Sequence, residues 1–365
     1  MRYIDEFRDP KLAQALVKHI HARSTKPLHI MEFCGGHTHA IMRYGIRQLL
    51  PQRVSLSSGP GCPVCVTDDT DLDRAIALAW LPQVILTTFG DMVRVPGSNG
   101  CLEDAKSEGA DVRVVYSTLD ALQIARENPD QAVIFLGVGF ETTAPTVAGS
   151  ILQAQREGLD NYFALSLHKL TPPAMRAILD AGEVRLAGVI GPGHVATIIG
   201  SEAWRFLPTD YGIGCAVAGF EPLDILQAIA ELVDMHEKGK PRVANVYARS
   251  VRPQGNRHAQ DMMEEVFEIG PGAWRGLGEL PNSALLIRPR YADRDASRAF
   301  PVQVETARRP RGCRCGEVLR GVVIPTQCPL FQRVCTPQNP IGPCMVSAEG
   351  ACAAYYHYGS YDVSG

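Results

Sequence analysis

AVIFLGVGFETTAPT, residues 132–146, runs from an apolar stretch through a glycine turn into residues that open a helix. AVIFLGV (132–138) lacks polar alternation, and the residues after it carry helix-starting chemistry: Glu141, Thr142 and Thr143 bring a carboxylate and hydroxyls, and Pro145 suits a first turn. Strand, turn and helix in that order are the unit of an α/β layer around a mainly parallel sheet. Outward from it the pattern recurs in PLHIMEF (27–33), QVILTTF (83–89), DVRVVYS (111–117), YFALSLH (162–168) and LAGVIGP (186–192). Cys34-Gly-Gly-His follows the first of these, Phe89-Gly-Asp the second, and Gly191-Pro-Gly-His the last. In open α/β sheets ligand-binding loops gather at the carboxyl ends of strands, where these motifs fall.

The expected architecture is therefore α/β: two similar Rossmann-like units with mainly parallel sheets flanking a cleft, plus a C-terminal cluster-binding domain. The first unit spans 1–120 and carries CGGHTH and GPGCPVC; the second spans 121–222 and carries GFETT and GPGH. Their junction is placed near 120, at TLDALQIARENPD. The third region, 223–365, begins with the helix EPLDILQAIAELVDMHEKG and becomes rich in Cys, Pro and Gly from 300 onward, a composition that folds around metal.

With 365 residues and 45% apolar content the chain can bury substantial cores, and its formal charge of −3 leaves no basic stripe for nucleic acid. No apolar run is long enough for a membrane span, and the charged N-terminus is unlike a signal peptide, so a cytoplasmic location is expected. In that reducing setting clustered cysteines point to metal or redox chemistry, and six of the eleven lie between 313 and 352.

Four thiolates suit a [4Fe–4S] cube, since soft sulfur matches iron. Cys313, Cys328, Cys335 and Cys352 are separated by 14, 6 and 16 residues, with Cys315 and Cys344 left as neighbours. Spacing alone does not choose among the six. A structural zinc site is the alternative, although this tail lacks the paired C-x2-C spacing typical of one.

In MEFCGGHTHA, Cys34, His37 and His39 crowd one strand end, where thiolate and imidazole suit Fe(II) and the glycines allow close backbone approach. The bland alternative is a glycine-rich turn. In GPGCPVCVTDD, Cys62 and Cys65 form either a dithiol/disulfide couple or half of a zinc site. Glu141 balances plain helix capping against a site carboxylate, and His194 balances a structural histidine against a proton donor or acceptor. Asp91 and Arg94 either rim the cleft or brace their loop as an ion pair. Cys101 and Cys215 look isolated, as buried packing cysteines do. No phosphate-binding G-x-x-x-x-G-K-[ST] or G-x-G-x-x-G motif supports a nucleotide site.

Together CGGHTH, GPGCPVC, TFGDMVRVPGS, GFETTAP, PGHVATIIG, AGFEPLDIL and the C-x14-C-x6-C-x16-C tail closely resemble the HypD family of hydrogenase maturation factors, along nearly the whole chain. The resemblance implies a cytoplasmic scaffold on which the Fe(CN)2(CO) group of [NiFe] hydrogenases is assembled before transfer to the hydrogenase large subunit, rather than a conventional turnover enzyme. It implies that Cys34 is the iron-site thiolate, helped by His37, and that Cys62 and Cys65 are a redox pair between that site and the cluster. It also selects Cys313, Cys328, Cys335 and Cys352 as ligands of a [4Fe–4S] cluster, the source of electrons. The implied partners are a HypC-type small chaperone sharing the iron through its N-terminal cysteine, and HypE with HypF, which deliver cyanide. Cys101 and Gln332 depart from the family motifs without touching a proposed ligand. The rival readings are a stand-alone Fe–S thiol-disulfide oxidoreductase using Cys62 and Cys65, and a zinc-stabilised interaction module.

Overall fold

Ile30, Met31, Glu32 and Phe33 are all buried, the two-sided burial of a parallel strand covered by helices on both faces. The computed structural model describes residues 5–359, apart from 306 and 309. In chain order its strands are β1 (Leu28–Glu32), β2 (Val54–Ser58), β3 (Val84–Thr88), β4 (Val112–Val114), β5 (Ala132–Gly137) and β6 (Tyr162–Ser166). β7 (Gly188–Pro192), β8 (Gly214–Ala218), β9 (Val243–Asn245), β10 (Phe267–Trp274) and β11 (Gly278–Ile287) complete the set. They form two parallel sheets, ordered β2-β1-β7-β8-β9 and β4-β3-β5-β6, and an antiparallel hairpin β10-β11. The two expected α/β units are present.

Their strands interleave along the chain. β1 and β2 join strands that arrive after residue 187, while β3 and β4 share a sheet with β5 and β6, β3 pairing with β5. The expected boundary at 120 thus falls inside one sheet, and that at 222 separates β8 from β9, to which it is hydrogen-bonded. The physical reason is pairing: a strand's backbone groups are satisfied by its sheet neighbour, whatever the distance in sequence.

Strand order reverses between β1 and β7 in one sheet and between β3 and β5 in the other. Such switch points open a crevice at the strands' carboxyl ends, and Cys34 and Gly193-His194 lie at the first of them. Helix Pro222–Lys238 buries an apolar face against β7 and β8 and is closed by Gly239 in the left-handed region at φ +62°. From residue 300 onward the described residues form no sheet. Helices Cys315–Leu319 and Ala351–Tyr358 share one buried core with Cys62, Cys65, Phe140 and Trp274, so this C-terminal segment packs onto the α/β units. Helix Ala351–Tyr358 lies against helix Gly35–Arg43. Among the described residues no helix is long and apolar enough to cross a membrane.

Candidate metal and thiol site

Cys34 lies two residues past β1 in extended conformation, at the N-cap position of helix Gly35–Arg43, so its side chain sits where backbone N–H groups have no helical partner. The backbone N–H groups of Gly36 and His37 nearby favour its thiolate. Burial, with Glu349 and then Glu32 close by, pushes the thiol well above its ordinary range. A bare Cys34 therefore keeps its proton at neutral pH, and an arriving cation must displace it.

His37 supplies a second donor. Its Nε2 lies 3.2 Å from the carbonyl oxygen of Ala218 and 2.9 Å from that of Gly219, which assigns the ring proton to that nitrogen. Burial holds the imidazole down to about 4, so the ring is neutral. Its Nδ1 then carries a lone pair that is buried and meets no partner among the described residues. Phe220 fixes the ring plane, stacking on His37 at 4.7 Å and on His194 at 3.8 Å. Beneath Cys34, Glu32 accepts its backbone N–H at 3.1 Å and the Thr38 hydroxyl, and burial raises this carboxyl to about 8. His39 turns away: its Nδ1 is 3.4 Å from the Ala348 carbonyl oxygen and its ring meets Tyr358 edge-on. The loop thus buries two of its three candidate donors, Cys34 and His37.

Cys62 and Cys65 are joined as a disulfide. Their loop touches the Cys34 loop through backbone: the Gly35 N–H donates to the Gly61 carbonyl at 2.9 Å. A Cβ at Gly61 would lie 2.3 Å from the Cys34 nitrogen, so only glycine permits this approach. On the other side the Cys65 sulfur comes within 3.9 Å of the Pro343 carbonyl oxygen, next to Cys344.

The six C-terminal cysteines form one neighbourhood. Burial, then Cys315, Cys328 and Cys352, push Cys313 up to about 12, and Cys335 is raised by burial and by Cys352 and Cys328. A [4Fe–4S] cluster fits the set Cys313, Cys328, Cys335 and Cys352 on two observations besides donor type. The Cys335 sulfur accepts the Ile341 N–H at 3.4 Å, a bond that favours thiolate. At Gly342 a Cβ would lie 2.8 Å from the Cys313 sulfur, so glycine leaves that sulfur room. Among the described residues no three His, Cys, Asp or Glu side chains form a single-ion site.

Cys315 and Cys344, left as neighbours by spacing, are hydrogen-bonded to each other. The bond from Cys344 and the charge of Arg275 lower Cys315, while Cys344, which also reaches Cys352, is raised well above its ordinary value. The pair stands between the proposed cluster ligands and Pro343, which abuts Cys65. C-x-C proximity in Cys313–Cys315 was the available signal; the partner at 344 was not legible without the fold.

The remaining sequence candidates do structural work. Glu141 is buried, accepts the Thr171 N–H at 2.9 Å and its hydroxyl, and is raised to about 7 by burial, so it anchors the start of helix Thr171–Ala181. Asp91 accepts the Ser347 hydroxyl at 2.9 Å and Arg94 donates to the Pro337 carbonyl, bracing their loop on the C-terminal segment rather than on each other. Cys215 is fully buried in β8; Cys101 is partly exposed at the start of helix Leu102–Ser107. Phe220 and Glu349 escaped sequence reasoning, because a lone Phe reads as core and a lone Glu as surface.

A family model described as "HypD: Hydrogenase formation hypA family" matches residues 11–359. The chain is 50% identical over 368 residues to the hydrogenase maturation factor HypD of Azotobacter vinelandii, covering 98% of this chain and 97% of that protein. Identity to HypD of Cupriavidus necator is 48% over 371 residues, with 99% and 98% covered. To HypD of Escherichia coli it is 44% over 367 residues, with 98% of each covered.

Proposed function

This chain belongs to the HypD family of hydrogenase maturation factors, and we propose that it is the scaffold on which the Fe(CN)2(CO) group of [NiFe] hydrogenases is assembled. Iron is the cargo. Cys34 binds it as thiolate, releasing a proton, and the Nδ1 lone pair of His37 is a further donor. A HypC-type chaperone shares the iron through its own cysteine, and HypE with HypF deliver cyanide. The observation that carries this reading is the buried, unpartnered Nδ1 of His37 two residues past the Gly35 hinge of the Cys34 loop, held by Ala218, Gly219 and Phe220.

Cys313, Cys328, Cys335 and Cys352 would hold a [4Fe–4S] cluster, which when bound supplies low-potential one-electron chemistry. Cys62 and Cys65 interconvert between disulfide and dithiol, taking up two electrons and two protons on reduction. Their contact with the Cys34 loop through Gly61 keeps the reducing thiols beside the iron, which needs a low valence to hold CO. Cys34 and His37 are themselves buried, which keeps water from the iron.

The test is infrared spectroscopy on protein copurified without oxygen with its maturation partners. Cys34→Ala is expected to remove the cyanide and CO stretching bands while the brown cluster absorption stays; bands of undiminished intensity refute the assignment.

A further inference from the structure

A cavity of about 290 Å³ lies between the carboxyl end of β6, the β10-β11 hairpin and helix Asp69–Ala79. It shares no residue with the Cys34 pocket or the cysteine cluster. Lys169, Asp71, Arg74, Asp295 and Arg298 line it, three cations against two anions.

Lys169 is 3% exposed. Burying an ammonium costs several kcal/mol unless it is well paired, and this one is not. The only acceptor it reaches among the described residues is Asp71 Oδ2 at 3.4 Å, and Asp71 is shared with Arg74 at 3.5 Å. Two other buried carboxylates among the described residues are paired more tightly: Asp69 meets Arg275 at 2.5 Å and Asp224 meets the part-exposed Arg249 at 2.6 Å. An ammonium has three donors, so two of those of Lys169 are left without an acceptor.

The other polar groups of the cavity are already committed. Asp295 accepts the Ser297 N–H and hydroxyl and pairs with Arg298, and the Ser166 hydroxyl donates to the Leu285 carbonyl. The cavity thus holds a net charge of one positive unit in a concave site beyond a strand's carboxyl end, the place where such sheets bind ligands. The backbone holds Lys169 there, its N–H bonded to the Gly139 carbonyl at 3.0 Å.

We propose that this cavity binds a small oxyanion, a carboxylate or phosphoryl group, with Lys169 as its anchor and Arg74 and Arg298 at its mouth. The proposal is independent of the scaffold reading.

The full chain is titrated with inorganic phosphate and, separately, with acetate, against chloride at matched ionic strength, and Tm is followed. A saturable rise with phosphate or acetate and none with chloride is expected, and which anion acts identifies phosphoryl or carboxylate recognition. Lys169→Met removes the response, and Arg298→Gln weakens affinity about tenfold, the worth of one charge-assisted hydrogen bond. Arg298 is 47% exposed, so its variant folds even if the lysine variant does not. No saturable response to either anion in the wild type, a response undiminished in Lys169→Met, or unchanged affinity in Arg298→Gln overturns the proposal.

Discussion

Gly61→Ala tests the joint between the two thiol loops. The added methyl would lie 2.3 Å from the Cys34 nitrogen, 2.5 Å from its Cα and 2.5 Å from the Phe33 carbonyl carbon. All three are backbone atoms at the end of a central strand, so no side chain can swing aside. Van der Waals contact between carbon and its neighbours needs about 3.5 Å or more, so the loops must part by about 1 Å. Overpacking of this kind costs about 1–3 kcal/mol, and the Gly35 to Gly61 hydrogen bond adds about 1 kcal/mol if it breaks. Urea unfolding measures the total. Gly212→Ala is the control: at φ +65° with open space around it, it costs about 1 kcal/mol of backbone strain and touches no thiol. Gly61→Ala is expected to lower both stability and the iron retained at Cys34, whereas Gly212→Ala lowers stability alone. Full iron retention in Gly61→Ala with a cost below that of the control refutes the claim that this contact positions Cys34.

Burial raises the folded-state pKa of Glu32 from 4.5 to about 8, so its stabilising contribution is complete below 4.5 and fades as pH climbs through 8. Glu141, raised to about 7, acts in the same direction, and His37, lowered to about 4, acts oppositely but only below its ordinary 6.5. Between pH 6.5 and 8 the stability of Glu32→Gln should therefore decline less steeply than that of the wild type, by a slope of up to about 1.4 kcal/mol per pH unit; parallel curves would contradict the burial argument. Arg275→Met should cost about 3–5 kcal/mol in urea unfolding, because Asp69 stays buried without its 2.5 Å partner. Arg126→Ala, which breaks a more exposed pair with Glu157, should cost at most about 1 kcal/mol, and equal losses would be the wrong outcome. Anaerobically purified protein should carry about four irons with sulfide, and Cys352→Ala should bleach it; a zinc content of one or two with no iron would refute the cluster assignment.

The strand cores were legible because two-sided burial writes continuous apolar runs: Ala132–Gly137 and Tyr162–Ser166 lie where AVIFLGV and YFALSLH place them. β2 and β8 are missing from the expected strands: VSLSS is mostly serine and GCAVA mostly small residues, although both are largely buried in the finished sheet. Their burial comes from neighbours distant in sequence, which no local pattern encodes. The same holds for the pocket. Cys34 and His37 announce themselves in one motif, but the carbonyls that fix the tautomer of His37 come from Ala218 and Gly219, and Phe220 looks like any core aromatic until its two stacking partners are in place. His39 failed for a helical reason: two residues beyond His37 it lies on a different face, toward Tyr358.

Interleaved strands also impose a timetable on biosynthesis. Cys34 leaves the ribosome roughly 180 residues ahead of Ala218, an interval of about 10–40 s at ordinary translation rates. Until β7 is made β1 has only β2 to pair with, and throughout the interval the imidazole of His37 lacks the Ala218 and Gly219 carbonyls that hold it. If the Cys34 loop holds iron as proposed, it reaches its final geometry, and so its loading, only after the second half of the five-stranded sheet has been made.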